Sequence, residues 1–592
     1  MKATGATLIT KIVRFMVEMR YFSSRWNLLS MTRTTCIILL LLWGSSAWAQ
    51  QSSWEQEEGE IDDAEVVIEK DREIELPEAS RQFERVPPTN TSTPQVDVSY
   101  QFEEVKPNLP TVDPKIRVLK IKEPPLDKLY GNYVKVGFGN FLTPYVDFFA
   151  NNTRNDEYAY GVHVEHLSSR FGPVDRDNSG NSHTKIGAEA KYFANGNTLS
   201  GALGYERNRY HFYGYDPSLE FTRDEIKQIF NVISAQLALE RDQVNKPFDY
   251  RLGGSFHYLS DAYAASENQI GLTADFSYTI NEQLAFAIEN DLYLTARTDQ
   301  PVGADASSTA NRNLLRINPV VTFNTNEDPT EGLVFHLGFR AVYENDTADN
   351  AGRLHLYPDV SAEYSLTDGF SVYAGLDGDI ERTSLLRFVE ENPFVGPNVP
   401  LLHTNRTIAL RGGIKGRFSS AVGFHAGFSA GNYRNLYFYA NSESDSTRFT
   451  LLYDGESTLR FNPFLEISIN SAERFRTILR GDYFAYGVNQ VAEPWHRPAT
   501  QLSVLSSYNA YDKVLLSAEF MVLGGIKGIN LESGTQRDLD AITDLSFQAD
   551  YLFSSRFSTF LQLKNIFAQN YERFLNYPSR GLMVMGGVSY SF

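Results

Sequence analysis

The stretch that decides the fold is GLMVMGGVSYSF, residues 581–592. Leu582, Val584, Val588, Tyr590 and Phe592 alternate with small or polar residues, Ser589 and Ser591 among them. This is the period-2 pattern of a strand with one apolar face. Ends of soluble domains are usually frayed and polar, whereas this one runs as a strand to its final aromatic. Two readings are open at this point, a last strand of a soluble sheet or the closing strand of a membrane barrel.

Working back from that end, the same alternation recurs. ENQIGLTADFSYTI (267–280) sets Ile270, Leu272, Ala274, Phe276 and Tyr278 against Gly271, Thr273, Asp275 and Ser277. GLVFHLGFRAVYE (332–344) and RTIALRGGIKGRF (406–418) each oppose an apolar face to one carrying His336 and Arg340, or Arg411, Lys415 and Arg417. Short polar turns punctuate the strands at Asn195-Gly196, Thr279 to Glu282, Asn324 to Pro329, Thr367 to Gly369, Ser419-Ser420, Asn470-Ser471, Asn509 to Asp512 and Ser554-Ser555. Between them lie longer connections such as RFGPVDRDNSGNS (170–182), DQPVGADASSTA (299–310) and ENPFVGPNVPLL (391–402). Alternating short and long connections are the rhythm of periplasmic turns and extracellular loops. The expected fold is all-β, a transmembrane antiparallel β-barrel of about 22 strands (range about 18–24) spanning residues 129–592. Pro319, Pro358, Pro463 and Pro498 recur well before short turns. Each is expected to mark a bulge or local bend, because proline donates no ladder hydrogen bond.

The bulk numbers agree. The 592 residues carry a net charge of −19, which argues against nucleic acid as a partner. Mean hydropathy is −0.32, and no 20-residue apolar run follows the N-terminus, so helical spans are not expected. MTRTTCIILLLLWGSSAWAQ (31–50) reads as a secretory signal with Arg33, a short apolar core and cleavage after Ala47-Trp48-Ala49. Residues 1–49 are therefore assigned to the signal peptide, with Met31 as the expected start. The mature chain then lacks cysteine, since Cys36 falls within the signal. Residues 50–128 form an acidic, proline-rich periplasmic segment: twelve acidic residues lie between Glu55 and Glu78, opposed by Lys70 and Arg72. Such composition favours an extended chain, and the island AEVVIEKDREIELPEASRQFERVPP (64–88), alternating weakly through Val66, Ile68, Ile74 and Leu76, reads either as a solvated acidic linker or as a strand that adds to a partner's sheet edge.

The final hairpin, FLQLKNIFAQNYERFLNYPSRGLMVMGGVSYSF (560–592), resembles the last two strands of TonB-dependent receptors. Leu563, Asn565, Ile566, Phe567, Tyr571, Pro578, Gly581 and Phe592 stand where that family carries its motif. The resemblance implies an outer-membrane barrel whose terminal aromatics, Tyr590 and Phe592, serve as the signal read by the barrel-assembly machinery. The family also has a globular plug of well over a hundred residues, and residues 50–128 do not read as one. The chain looks like a plugless relative of Bacteroidota type.

No catalytic motif is present, and neither a cofactor nor an enzymatic activity is expected. In His163-Val164-Glu165-His166, alternation sends His166 to the face opposite His163 and Glu165, so no metal site is expected. DRDNSGNSHTKI (175–186) begins like a calcium loop but has Ile186 at its twelfth position, and a solvated loop is expected instead. The candidate lumen lining is Asp377, Asp379 and Glu381 on one strand facing Arg411, Lys415 and Arg417 on the next, as a ladder of opposite charges. The functional expectation is a structural or accessory component of an envelope complex in the outer membrane. Its partners would be outer-membrane lipid and periplasmic or outer-membrane proteins reached through residues 50–128. A passive or gated channel for small solutes is the alternative.

Overall fold

The computed structural model describes residues 129–592 except 242–245, 301–306, 327–331, 346–351, 368 and 472–473, together with Ser99, Gln101 and Glu103. The signal peptide, nearly all of the acidic segment and the question of a plug lie outside the described residues. Residues 120–592 form one compact unit.

One sheet dominates that unit, and it closes on itself. Its first strand, Asn132–Gly139, pairs antiparallel with Thr143–Asn151 on one side and with the last strand, Met583–Ser591, on the other, in the register Val136↔Val588. Reciprocal backbone bonds between Asn132 and Phe592 (3.2 and 2.9 Å) finish the seam. The sheet has 23 strand segments, of which Phe475–Tyr483 and Ala485–Gly487 are two halves of one strand, both paired to Thr458–Ser471. The barrel therefore has 22 strands, all antiparallel to their neighbours. Closure leaves no unpaired edge, which is what permits such a sheet to sit in lipid. No described helix is long and apolar enough to cross a membrane.

Outward positions follow the period-2 pattern. Leu203, Leu354 and Leu356 are each about two-thirds exposed, and Leu272, Phe339, Tyr343, Leu410 and Ile414 stand on the same outer face. The turn end of the barrel holds tight connections, among them Asn195-Gly196, where φ of 51° and 72° supply the two left-handed residues of a hairpin turn. The first and last barrel residues lie at this end.

The prolines keep their own strands in register: Pro319 opposes Ile288, Pro358 opposes Phe339, and Pro463 opposes Phe428. The irregularity falls on the other flank. The ladder from Pro463 toward the next strand lapses where Phe484 splits that strand. Beside Pro358 the ladder to the next strand stops at Asp359↔Asp377, one residue short of the proline. Proline donates no ladder N–H, and the pairing lapses on the flank where that bond would have formed. Pro498 lies just before its strand, Thr500–Ala510.

Candidate functional site: the inner wall and a lid built from loops

At the loop end the alternation breaks down. Phe230, Val232 and Leu259 face inward on their strands and are nearly fully buried, so the inner face of the wall is apolar here. Their cover is the loop 382–403, which folds back into the mouth. Ser384 caps a short helix, α1 (Leu385–Glu391), by accepting from the Arg387 N–H at 3.2 Å. Inward-facing Glu267 accepts from the Leu385 N–H at 2.8 Å, pinning the helix start to a wall strand 118 residues away. Arg297 donates to the Val399 carbonyl at 2.8 Å, and Arg312 donates to the Thr383 carbonyl at 2.9 Å. These anchors come from three successive strands, several positions round the barrel from where the loop is rooted.

Other loops meet this one. Leu436–Asn441 and Phe449–Asp454 form a hairpin whose first strand is buried at every residue. It continues into Lys527–Asn530 and Thr535–Asp538 as a four-stranded sheet. Phe388, Phe394, Tyr437, Tyr439, Phe449 and Tyr577 share one apolar core with Phe212 and Phe230. The Tyr577 ring stacks on Phe394 with centroids 3.7 Å apart. Trp495 and Phe438 sit in an adjoining cluster. The loop 170–182 belongs to the same assembly, and the stretch 175–186, expected as a solvated loop, is divided between it and the strand Asn181–Ala194: Tyr215 donates to Asp175 at 2.6 Å, and Arg580 donates to the carbonyls of Phe171 and Ser179, each at 3.0 Å. Loops rooted on opposite sides of the barrel thus close on one another over its mouth.

Two polar groups of the lid, Glu391 and His496, are closely matched, whereas the buried Tyr439 Oη, Asn392 Nδ2 and Asn441 Oδ1 have no hydrogen-bond partner among the described residues. Arg497 donates to Glu391 at 2.8 Å and lies over the Tyr437 ring, 4.5 Å from its centroid, while Tyr437 donates to the other Glu391 oxygen at 2.6 Å. Burial lowers the Arg497 guanidinium, but Glu391, Tyr437 and Tyr486 together more than offset it and hold it above its ordinary range. His496 bonds the Tyr439 carbonyl through Nδ1 at 2.8 Å and accepts the Leu575 N–H at Nε2, 3.2 Å away. An imidazole that donates through one nitrogen and accepts through the other is neutral. Burial, reinforced by Arg573 and Arg497, lowers its pKa to about 4. Burial beside Arg312 likewise lowers His403 well below the ordinary histidine range.

Below the lid, the candidate lining residues occupy the face opposite Leu410 and Ile414, but the ladder differs from the expected one. Shifts between Asp377 and Asp379, and between Arg406 and Ile408, displace the register. Asp377, almost wholly buried, pairs with Arg411 and also with Arg406 at 3.6 Å. Arg406 reaches Glu381 at 3.7 Å. Asp379 pairs with Arg316, three strands away, at 3.0 Å, and Lys415 passes over the intervening strand to Glu363 at 2.8 Å. Arg417, near the turn end, has no ion-pair partner among the described residues. Arg406 and Arg316 were absent from the expected set, although Arg406 opens the strand that supplied Arg411 and Lys415. Tyr590 and Phe592 stack outward, 5.9 Å apart, beside the seam. His163 bonds Asp147 at 2.8 Å while His166 turns to Thr184 on the other face. No cluster of three or more metal-ligating side chains occurs among the described residues.

No family model and no curated protein matches the sequence. Solved structures do match the barrel. The siderophore receptor PirA from Acinetobacter baumannii aligns with TM-score 0.60 at 11% identity, over 78% of this chain and 80% of its own. The ferric-catecholate import receptor Fiu from E. coli K12 gives 0.59 at 10% identity, over 79% and 82%. The pyoverdine outer-membrane receptor FpvA from Pseudomonas aeruginosa PAO1 gives 0.60 at 12% identity, over 80% and 79%. The chain has the barrel fold of TonB-dependent siderophore receptors. At these identities the likeness is one of fold, and it agrees with the resemblance carried by the final hairpin.

Proposed function

We propose that this chain is an integral outer-membrane barrel, exported by its N-terminal signal and inserted with its loop end outward. There it is held shut by its own loops and serves as an accessory component of an envelope complex. The observation that carries this reading is the aromatic core of the lid. A mouth filled by buried side chains from several loops does not suit free diffusion, which needs a hydrated passage. What remains for interaction is surface: the outer loops, and on the periplasmic side the acidic segment 50–128. Tyr590 and Phe592 beside the seam suit recognition by the assembly machinery.

The ionic inner wall favours a second reading, a solute passage gated by the lid. Asp377, Asp379, Glu381, Arg411, Lys415 and Arg417 would then act as selectivity lining. Conductance in planar bilayers separates the two. Full-length protein is expected to stay closed, and large stable pores would overturn the accessory reading. A barrel that conducts after removal of residues 50–128 would place that segment in the gate. Affinity purification from native membranes is expected to bring down stoichiometric partners, and isolation as a lone barrel would favour the channel.

A further inference from the structure

The outer wall carries a charged patch that neither the lid nor the inner wall uses. On the strands Tyr158–Ser169, Asn181–Ala194, Asn197–His211 and Lys227–Arg241, the outward positions through mid-wall are apolar, with Val162, Ile186, Leu203 and Ile233 all exposed. Toward the loop end the same face turns polar. Arg207 stands between Thr184 and Asn231, and Arg209 between Ser182 and Ile229. Arg223, from the loop that follows, brings Nε to 3.3 Å from His211 Nε2. The charges acting on Arg209 are those of Arg223 and Arg207, and those acting on His211 are Arg223, Arg209 and Lys227. The nearby carboxylate, Asp224, is taken by Lys227 at 2.6 Å. None of the three arginines has an ion-pair partner among the described residues, and the buried Nε of Arg209 has no hydrogen-bond acceptor. Near the loop ends of the strands Ser266–Asn281, Leu284–Asp299 and Ser308–Asn324, the outward residues are uncharged: Asn268, Thr298 and Asn311.

Arginine facing lipid is costly at mid-bilayer and tolerated at the interface, where anionic headgroups lie. Guanidinium forks suit phosphate, which they bind bidentately. We propose that Arg207, Arg209 and Arg223 form a site for a phosphorylated glycolipid headgroup of the outer leaflet, whose acyl chains lie along Val162, Ile186, Leu203 and Ile233. The leaflet rests on the loop-outward orientation above. Impermeant maleimide labelling of a Ser442→Cys variant on whole cells tests that orientation separately.

The site itself is tested with full-length protein in mild detergent, using diphosphoryl lipid A as probe and mass spectrometry of the retained lipid. Wild type is expected to retain diphosphoryl lipid A about tenfold better than its dephosphorylated form. The R207A/R209A/R223A variant should lose that preference, and the all-lysine counterpart should keep part of it. Folding is checked by heat-modifiable migration; if the triple variant misfolds, R209A is compared with R417A at the far end of the wall. Equal retention by a folded alanine variant, or indifference to the phosphates, overturns the proposal. So does displacement by inorganic phosphate at matched concentration, which marks an ion site, or a preference for cardiolipin, which marks the wrong leaflet.

Discussion

Arg497 meets Glu391 across the mouth of the barrel, Nη1 to Oε1 at 2.8 Å, joining two loops whose residues lie 106 positions apart in sequence. The pair is mostly shielded from solvent, and Tyr437 takes the second carboxylate oxygen. Removing one partner of such a pair strands the other, at a cost of roughly 2–4 kcal/mol. Glu391→Ala is therefore expected to loosen the lid while leaving the barrel intact. Hydrogen exchange of the 436–441 amides should accelerate, and heat-modifiable migration should not change. Unaltered exchange would show that the pair does not hold the lid.

The stack of Tyr577 on Phe394 makes a second demand. Both rings are buried in the shared core, and Tyr577 also donates to the Thr447 carbonyl. Tyr577→Ala opens a cavity where four loops meet, with a cost of about 3–5 kcal/mol confined to the lid. In planar bilayers this variant is expected to show opening events that wild type lacks. A barrel that stays silent would mean that something other than the aromatic core keeps it shut.

Acid should loosen the same lid. His496 has a folded pKa of about 4, against about 6.5 unfolded. Between those values the unfolded segment binds the proton and the folded one refuses it. Lid stability is thus full above about pH 6.5, declines as pH falls, and levels out below about pH 4, a loss on the order of 3 kcal/mol. His403, lowered in the same direction, adds to the decline. Exchange in the lid measured at pH 7 and pH 5 checks this. His496→Gln, which can still donate to Tyr439 and accept from Leu575, should flatten the dependence.

The barrel was legible in the sequence because each strand announces itself locally. Apolar–polar alternation, Asn195-Gly196 and its sister turns, and the closing strand at 583–591 depend on neighbours within a dozen residues. The lid was not legible, because its contacts span up to hundreds of positions. ENPFVGPNVPLL reads as a polar connection, yet Phe394, Val395, Val399 and Leu401 are core residues. Two signals were available: Leu436–Asn441 is apolar on both faces, and Phe230 and Val232 put apolar side chains on a face that elsewhere is polar. The wall was half legible for a similar reason. Alternation gave the face of Asp377 and Arg411, but register shifts, which no period reveals, decided their partners.

The seam carries the last prediction. Asn132 and Phe592 exchange two backbone bonds, and the Phe592 ring stacks on Tyr590 on the outer face. Deleting Phe592 removes both the bonds and the ring, whereas Phe592→Ala keeps the bonds and removes only the ring. Deletion is expected to lower outer-membrane accumulation of the heat-modifiable form more than a similar truncation at Gln50 does. If the terminal aromatic is what the assembly machinery reads, Phe592→Ala should fall nearly as far and Phe592→Tyr should recover. If the backbone bonds alone matter, Phe592→Ala should accumulate like wild type, and recognition of the aromatic would be excluded.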